Sequence, residues 1–148
     1  MASPVALVTG ASAGLGVDFA RQLSARGHRL LLVARRLDRL EALASELGNA
    51  RAVACDLAKP GAVDRLMADL AAHREEVETL VNNAGFGLWG RFAGLDAAQQ
   101  REMVDLNIGA LTELCRAAVP AMIDCPTMRC SQATIVPSLS RPALMRWT

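Results

Sequence analysis

The run Thr9-Gly10-Ala11-Ser12-Ala13-Gly14-Leu15-Gly16 lies where a short β-branched stretch gives way to a helical pattern. Glycines at such a junction let the backbone pass close to an anion. The first turn of the helix adds N–H groups without intrahelical partners and the positive end of the helix dipole. Phosphate or pyrophosphate binding is the chemistry that uses this combination. The spacing is Gly-x-x-x-Gly-x-Gly, which departs from the Gly-x-Gly-x-x-Gly of other dinucleotide turns, and a tight turn with no ligand would use the same residues. Asn107 stands inside an apolar helical stretch, where asparagine is mildly unfavourable and wants a reason. A satisfied buried amide is the plainer alternative.

Other chemistries find little support. Cys55, Cys115, Cys125 and Cys130 lack paired Cys-x-x-Cys spacing, and His28 and His73 are single residues near helix ends, so no metal site is expected. Sixteen basic against 15 acidic residues leave a net charge of +1, which provides no field for nucleic acid. A hydrophobic fraction of 52% with 21% charged residues describes a chain that buries a core. No run approaches the roughly 20 apolar residues of a membrane helix, and no positively flanked signal segment opens the sequence. The expectation is therefore no membrane partner and a reducing, cytoplasmic setting for free thiols.

The elements that must hold the glycine turn alternate regularly. Residues 5–9 and 29–34 read as strands buried on both faces, with a helix over 16–26 stopped by Gly27 between them. A second helix carries Leu37, Leu40, Leu43, Ala44 and Leu47 and closes at Gly48. Residues 51–55 form a third strand, a third helix opens at Pro60, and 78–82 form a fourth strand. Short glycine-bounded connections in this order predict an α/β fold with a doubly wound parallel sheet. After a Gly-rich loop over 85–94, one long helix is expected from 96 to about 119, with apolar residues spread so widely that it needs cover on most sides. Beyond 124 the composition changes: all 15 acidic residues precede that point, whereas 125–148 holds three of the six prolines. The domain boundary is placed there, giving a nucleotide-binding domain over 1–124 and an atypical, irregular tail over 125–148. Only 133–136 within the tail reads as a weak fifth strand.

Four ordered signals make the chain resemble the short-chain dehydrogenase/reductase family over about residues 4–124. They are Thr9 to Gly16 after the first strand, Asp56 with Leu57 after the third, Asn82-Asn83-Ala84-Gly85 after the fourth, and Asn107 in the following helix. The resemblance implies a Rossmann-like fold, truncated to four recognisable strands. It implies that Gly10, Ser12, Ala13, Gly14, Leu15 and Gly16 hold a dinucleotide pyrophosphate and that Asp56 bonds the adenine amine. A helix-capping role is the alternative for Asp56. Asn82, Asn83, Ala84 and Gly85 would border the adenosine ribose, and Asn107 would hold a water in a catalytic proton relay. At the end of the second strand, where NAD-preferring sites place a carboxylate against the ribose 2′-hydroxyl, this chain has Ala34-Arg35-Arg36. A guanidinium makes bidentate bonds to a 2′-phosphate, so NADP (NADPH) is expected over NAD, although two exposed arginines opening a helix are also ordinary surface.

The resemblance fails at the proton donor. The family uses a Tyr in Tyr-x-x-x-Lys and a Ser on the fifth strand; this chain has no tyrosine, and Lys59 is its only lysine. Ser131, Ser138 and Ser140 lie in the tail without an alignable context. The joint loss of motif, acidic residues and periodicity after 124 reads as a changed reading frame or rearranged gene end. Two functions follow. One is an NAD(P)-dependent oxidoreductase moving hydride between NADPH and a carbonyl or alcohol, catalytically incomplete in this chain. The other is a non-catalytic dinucleotide-binding module, or a truncated or frameshifted remnant. The substrate is unreadable: Trp89 and Phe92 would either border it or cover the sheet. Homo-oligomerisation or association through the long helix around 96–119 is the expected partner behaviour.

Overall fold

The computed structural model describes residues 2–124 and 132–135. Strands β1 (Ser3–Thr9), β2 (Leu30–Ala34), β3 (Ala50–Ala54), β4 (Glu75–Asn82) and β5 (Gln132–Ile135) form one parallel sheet in the order β3-β2-β1-β4-β5. Helices α1 (Leu15–Ala25), α2 (Leu37–Leu47), α3 (Ala62–Ala72), α4 (Ala97–Val104) and α5 (Leu111–Asp124) connect and cover it.

The two-residue period of the strands sorts their apolar residues onto two faces. Val5, Leu7, Leu31 and Val33 pack with Val63, Leu66 and Leu70 of α3 and with Leu114, Ala118 and Met122 of α5. Ala6, Val8, Leu30, Leu32 and Ala34 face the other way, against Ala20 of α1 and Leu40 and Leu43 of α2. Each fully buried leucine here contributes about 1.5–3 kcal/mol. Helices on both faces make this the doubly wound α/β fold expected from the alternation. Its strand order reverses between β1 and β4, and in open α/β sheets the crevice at the carboxyl ends of such a pair is where ligands bind.

Several boundaries differ from the sequence pattern. Strand β4 begins three residues before the predicted start, because Glu75 is a buried strand residue: Nε of Arg51 donates to its Oε2 at 3.1 Å, so its charge is paired inside the fold. A register shift opposite Val5 and Ala6 further obscures the alternation there. Helix α3 starts at Ala62, after Gly61 takes a left-handed N-cap conformation, so Pro60 stays outside it.

The predicted helix over 96–119 is a composite. Asp96 caps it, its side chain accepting from the Gln99 N–H at 2.8 Å; α4 then opens into a π-helical segment, Asp105–Ala110, before α5. Helix α5 runs past Pro120, losing one backbone rung while keeping Ala118 and Met122 buried on the sheet. The helical run Ala97–Ile123, 27 residues, is long and apolar enough to cross a membrane by length and composition alone. Polar residues break it into short apolar stretches in the sequence, and its stripe Ala110, Leu114, Ala118, Met122 is committed to the core. The sheet therefore covers part of this helical run, with Leu114 buried, whereas Val104, Ile108 and Ile123 are exposed.

Gln132–Ile135, inside the segment set apart after 124, pairs with β4 in parallel, with Asn82 opposite Ile135. The rest of that tail, with the tail serines and its expected irregular course, lies outside the described residues.

Candidate cofactor site

The loop after β1 and the loop after β4 meet at the strand-order reversal, and Thr9 ties them together. Its hydroxyl accepts from the backbone N–H groups of Asn83 and Ala84, both at 2.9 Å, and donates to the Val81 carbonyl at 3.3 Å. Asn83 returns the link: its Nδ2 donates to the Thr9 and Gly10 carbonyls at 3.1 and 3.4 Å. Every hydrogen-bonding position of the buried Thr9 side chain is thus used, which fixes the two loops relative to one another.

The glycines serve different purposes. A Cβ on Gly10 would lie 2.8 Å from Nδ2 of Asn83 and 3.0 Å from Cα of Ala84, and one on Gly16 would lie 2.3 Å from the Gly10 carbonyl oxygen. Both are close-approach positions. Gly14 has open space around it but takes φ 57° and ψ −140° as N-cap of α1, a conformation that side chains strongly disfavour. With no side-chain cap at this end, the N–H groups of Leu15 and Gly16 are available to an anion, whereas that of Val17 donates to the Gly14 carbonyl at 3.0 Å.

A cleft of about 560 Å³ opens here, within the range of small-molecule sites. Gly10, Ser12, Ala13, Gly14 and Leu15 form one wall. Arg35, Arg36, Asp56 and Leu57 form the far end, and Asn83, Ala84 and Gly85 the side toward β4. Twelve of the residues singled out from the sequence therefore converge on one cleft. Three do not line it. Gly16 sits behind Gly10 as a packing residue. Asn82 is buried and donates through Nδ2 to the Cys115 sulfur at 3.3 Å, joining β4 to α5. Asn107 is exposed, correcting the buried-amide alternative: its Oδ1 accepts from the Phe86 N–H at 3.1 Å and its Nδ2 donates to the Phe86 carbonyl at 2.8 Å. The π-helical segment presents this amide to the loop after Gly85, and its observed role is to hold that loop.

The charged end of the cleft is more structured than its sequence. Arg36 donates to the Ser12 hydroxyl at 3.3 Å, whereas Nη1 of Arg35 lies 3.5 Å from Oε1 of Glu102 on α4. Oδ1 of Asp56 accepts from the Ala58 N–H at 3.2 Å, so Asp56 both stabilises the turn before α3 and lines the cleft. Cys55 lines the same end, and burial pushes its thiol above the usual range, which disfavours the reactive thiolate. Among the described residues no group of three His, Cys, Asp or Glu side chains is placed to hold a metal ion. Trp89 and Phe92 are exposed and do not cover the sheet. Phe92 borders a second, shallow groove with Leu88, Leu95, Met103 and Val104.

Sequence reasoning missed Thr9 as the hub, Phe86 and Leu106 as lining, and Glu102 altogether. Thr9 had a signal, being a hydroxyl at the last buried position of a strand immediately before the glycine turn. Glu102 had none, since nothing local marks a helix residue that meets Arg35 from 67 positions away.

Fold and cleft together define a doubly wound α/β protein with a cleft at its strand-order reversal. The family model described as short chain dehydrogenase matches residues 4–147, and the chain belongs to that family. The NADP-dependent 3-hydroxy acid dehydrogenase YdfG of Salmonella typhi is 36% identical over 127 residues, which cover 81% of this chain and 49% of the relative. A metagenomic short-chain oxidoreductase solved in complex with NADP superposes with a TM-score of 0.77 at 34% identity, covering 93% of this chain and 62% of that one. L-sorbose reductase from Gluconobacter frateurii, complexed with NADPH and L-sorbose, gives 0.75 at 31% identity over 82% of this chain and 48% of that one. The chain thus spans about half the length of the curated relatives it matches.

Proposed function

We propose that the cleft binds NADP(H), with the pyrophosphate against the Gly10–Leu15 wall and the adenosine 2′-phosphate at Arg35 and Arg36, in a short-chain oxidoreductase that acts on a carbonyl or alcohol. The observation that carries this reading is the convergence of a side-chain-free turn, a helix N-terminus and two guanidiniums on one cleft of dinucleotide size. The NADP-dependent relative and the NADP and NADPH complexes among the structural neighbours support it.

Bound NADPH would supply a hydride to the carbonyl carbon. The N-terminus of α1 would hold the diphosphate of that cofactor, and Thr9, Asn83 and Asn107 keep the surrounding loops in place. The charge that develops on the carbonyl oxygen needs a positioned acid, typically worth about 10²- to 10⁴-fold in rate. These 148 residues contain no tyrosine, and their only lysine, Lys59, lies 4.0 Å from Asp56. The Asn107 amide has no proton to give at neutral pH. The chain on its own is therefore expected to bind NADPH without sustained turnover.

Titration with NADPH and NADH, followed by nucleotide fluorescence and calorimetry, tests the binding. NADPH is expected to bind more tightly by about 1 to 3 kcal/mol, the worth of hydrogen bonds to a charged group. Absence of binding by either nucleotide refutes the assignment of the cleft. In a second arm, NADPH oxidation is followed over hours with ketones, aldehydes and quinones. Turnover that survives repurification and is lost in Gly14→Asp refutes the expected inactivity.

A further inference from the structure

The two arginines of the cleft are not equivalent, and the difference lies on α4. Arg36 is held by a neutral hydroxyl, that of Ser12, and no carboxylate pairs with it among the described residues. Arg35 is paired with Glu102 at 3.5 Å, with side chains 64% and 36% exposed. That contact is long for a charge-assisted hydrogen bond, and no hydrogen bond joins the two side chains. An ion pair this exposed is weak, so a stronger anion can exchange with it.

We propose that Glu102 is a specificity-determining residue of the cleft: its carboxylate competes with a dinucleotide 2′-phosphate for Arg35, so that α4 sets how strongly 2′-phosphorylated nucleotides are preferred. The inference rests on the proposed assignment of the cleft to NADP(H). A phosphate dianion offers Arg35 two oxygens in the geometry of its fork, whereas Glu102 makes no hydrogen bond to it at 3.5 Å. The same carboxylate adds a negative charge beside the arriving phosphate, opposing it directly. A nucleotide with a free 2′-hydroxyl meets neither penalty. Glu102 thus narrows the gap between the two cofactors, while Arg36 supplies the part of the preference that no carboxylate offsets.

The test is a graded charge series at position 102, wild type, Glu102→Gln and Glu102→Arg, titrated with NADPH and with NADH at low and high salt. Each variant's melting temperature is measured, and the exposure of Glu102 predicts little change in it. The expected result is a stepwise tightening for NADPH, about two- to fivefold per step as for one exposed ion pair, with NADH affinity flat. The gain should shrink at high salt as screening grows. An unchanged NADPH-to-NADH ratio across the series, or an equal change for both nucleotides, overturns the role of Glu102 while leaving the cleft assignment standing. Failure of the wild-type chain to bind either nucleotide overturns the assignment itself, so the two failures are distinguishable.

Discussion

Replacing Thr9 by valine keeps the shape of the side chain and removes its oxygen. Two backbone donors then lose their acceptor, the N–H groups of Asn83 and Ala84 that now reach the hydroxyl at 2.9 Å. Asn83 is buried, so its N–H cannot turn to water; Ala84 lies at the cleft wall, and its N–H recovers part of the loss from solvent. A buried donor left unsatisfied costs about 1–3 kcal/mol, and the second adds less, for a total of about 2–4 kcal/mol. For a chain of this size that is a fall of roughly 5–15 °C in melting temperature. Thr9→Ser keeps the oxygen and gives up one methyl group, about 1 kcal/mol. The assay is a thermal and urea melt of the three proteins, with NADPH titration of each. Valine should destabilise more than serine, and it should weaken NADPH binding because the loop carrying Asn83 to Gly85 loses its tie to β1. A Thr9→Val protein as stable as Thr9→Ser, or more so, would show that methyl packing and not the hydroxyl bridge holds the two loops, and the argument for Thr9 as hub would fall.

The glycines should separate by mechanism in alanine scanning. Gly14→Ala meets open space and costs only backbone strain, about 1–3 kcal/mol, whereas Gly16→Ala drives a methyl onto the Gly10 carbonyl and should abolish NADPH binding and lower the melt further; equal effects would refute the geometry. Val104, Ile108 and Ile123 are exposed along the α4–α5 run, so the chain should self-associate with rising concentration in sedimentation velocity, and an Ile108→Asp, Ile123→Asp double variant should reduce this. A monodisperse wild-type monomer would contradict that expectation.

The sequence discloses the sheet wherever a residue's role is set by its neighbours in the chain. The runs at 30–34 and 37–47, and the stop at Gly48, read directly because periodicity and capping are local signals. The start of β4 does not, because Glu75 is acceptable in a buried strand through Arg51 and Arg29, partners 24 and 46 residues away that no local pattern advertises. The π-helical segment is hidden for a related reason. Asn107 looks like a helix-interior residue seeking a buried partner, yet it sits on the surface and clamps the Phe86 backbone, an arrangement visible only once the loop after Gly85 is folded against the helix.

The same division runs through the site. The wall proposed to bind the anion is legible because backbone would do the binding there, and backbone access is written as glycine at fixed spacing. Its selectivity is less legible because side-chain charges set it, and a charge acts on whatever the fold brings near. Arg35 and Arg36 are adjacent in sequence and identical in type, but one faces Ser12 and the other Glu102. The sequence presents two equivalent arginines for a 2′-phosphate, whereas the fold places a carboxylate beside one of them. The hydrogen bonds and ion pair that link Thr9, Asn83, Phe86 and Asn107, and Arg35 and Glu102, lie between positions 9 and 107. Protonating a carbonyl oxygen, by contrast, needs a positioned acid, and this stretch contains no tyrosine. On the proposed reading binding and turnover are physically separable, and a chain that binds NADPH with selectivity while consuming none of it would be the direct sign of that separation.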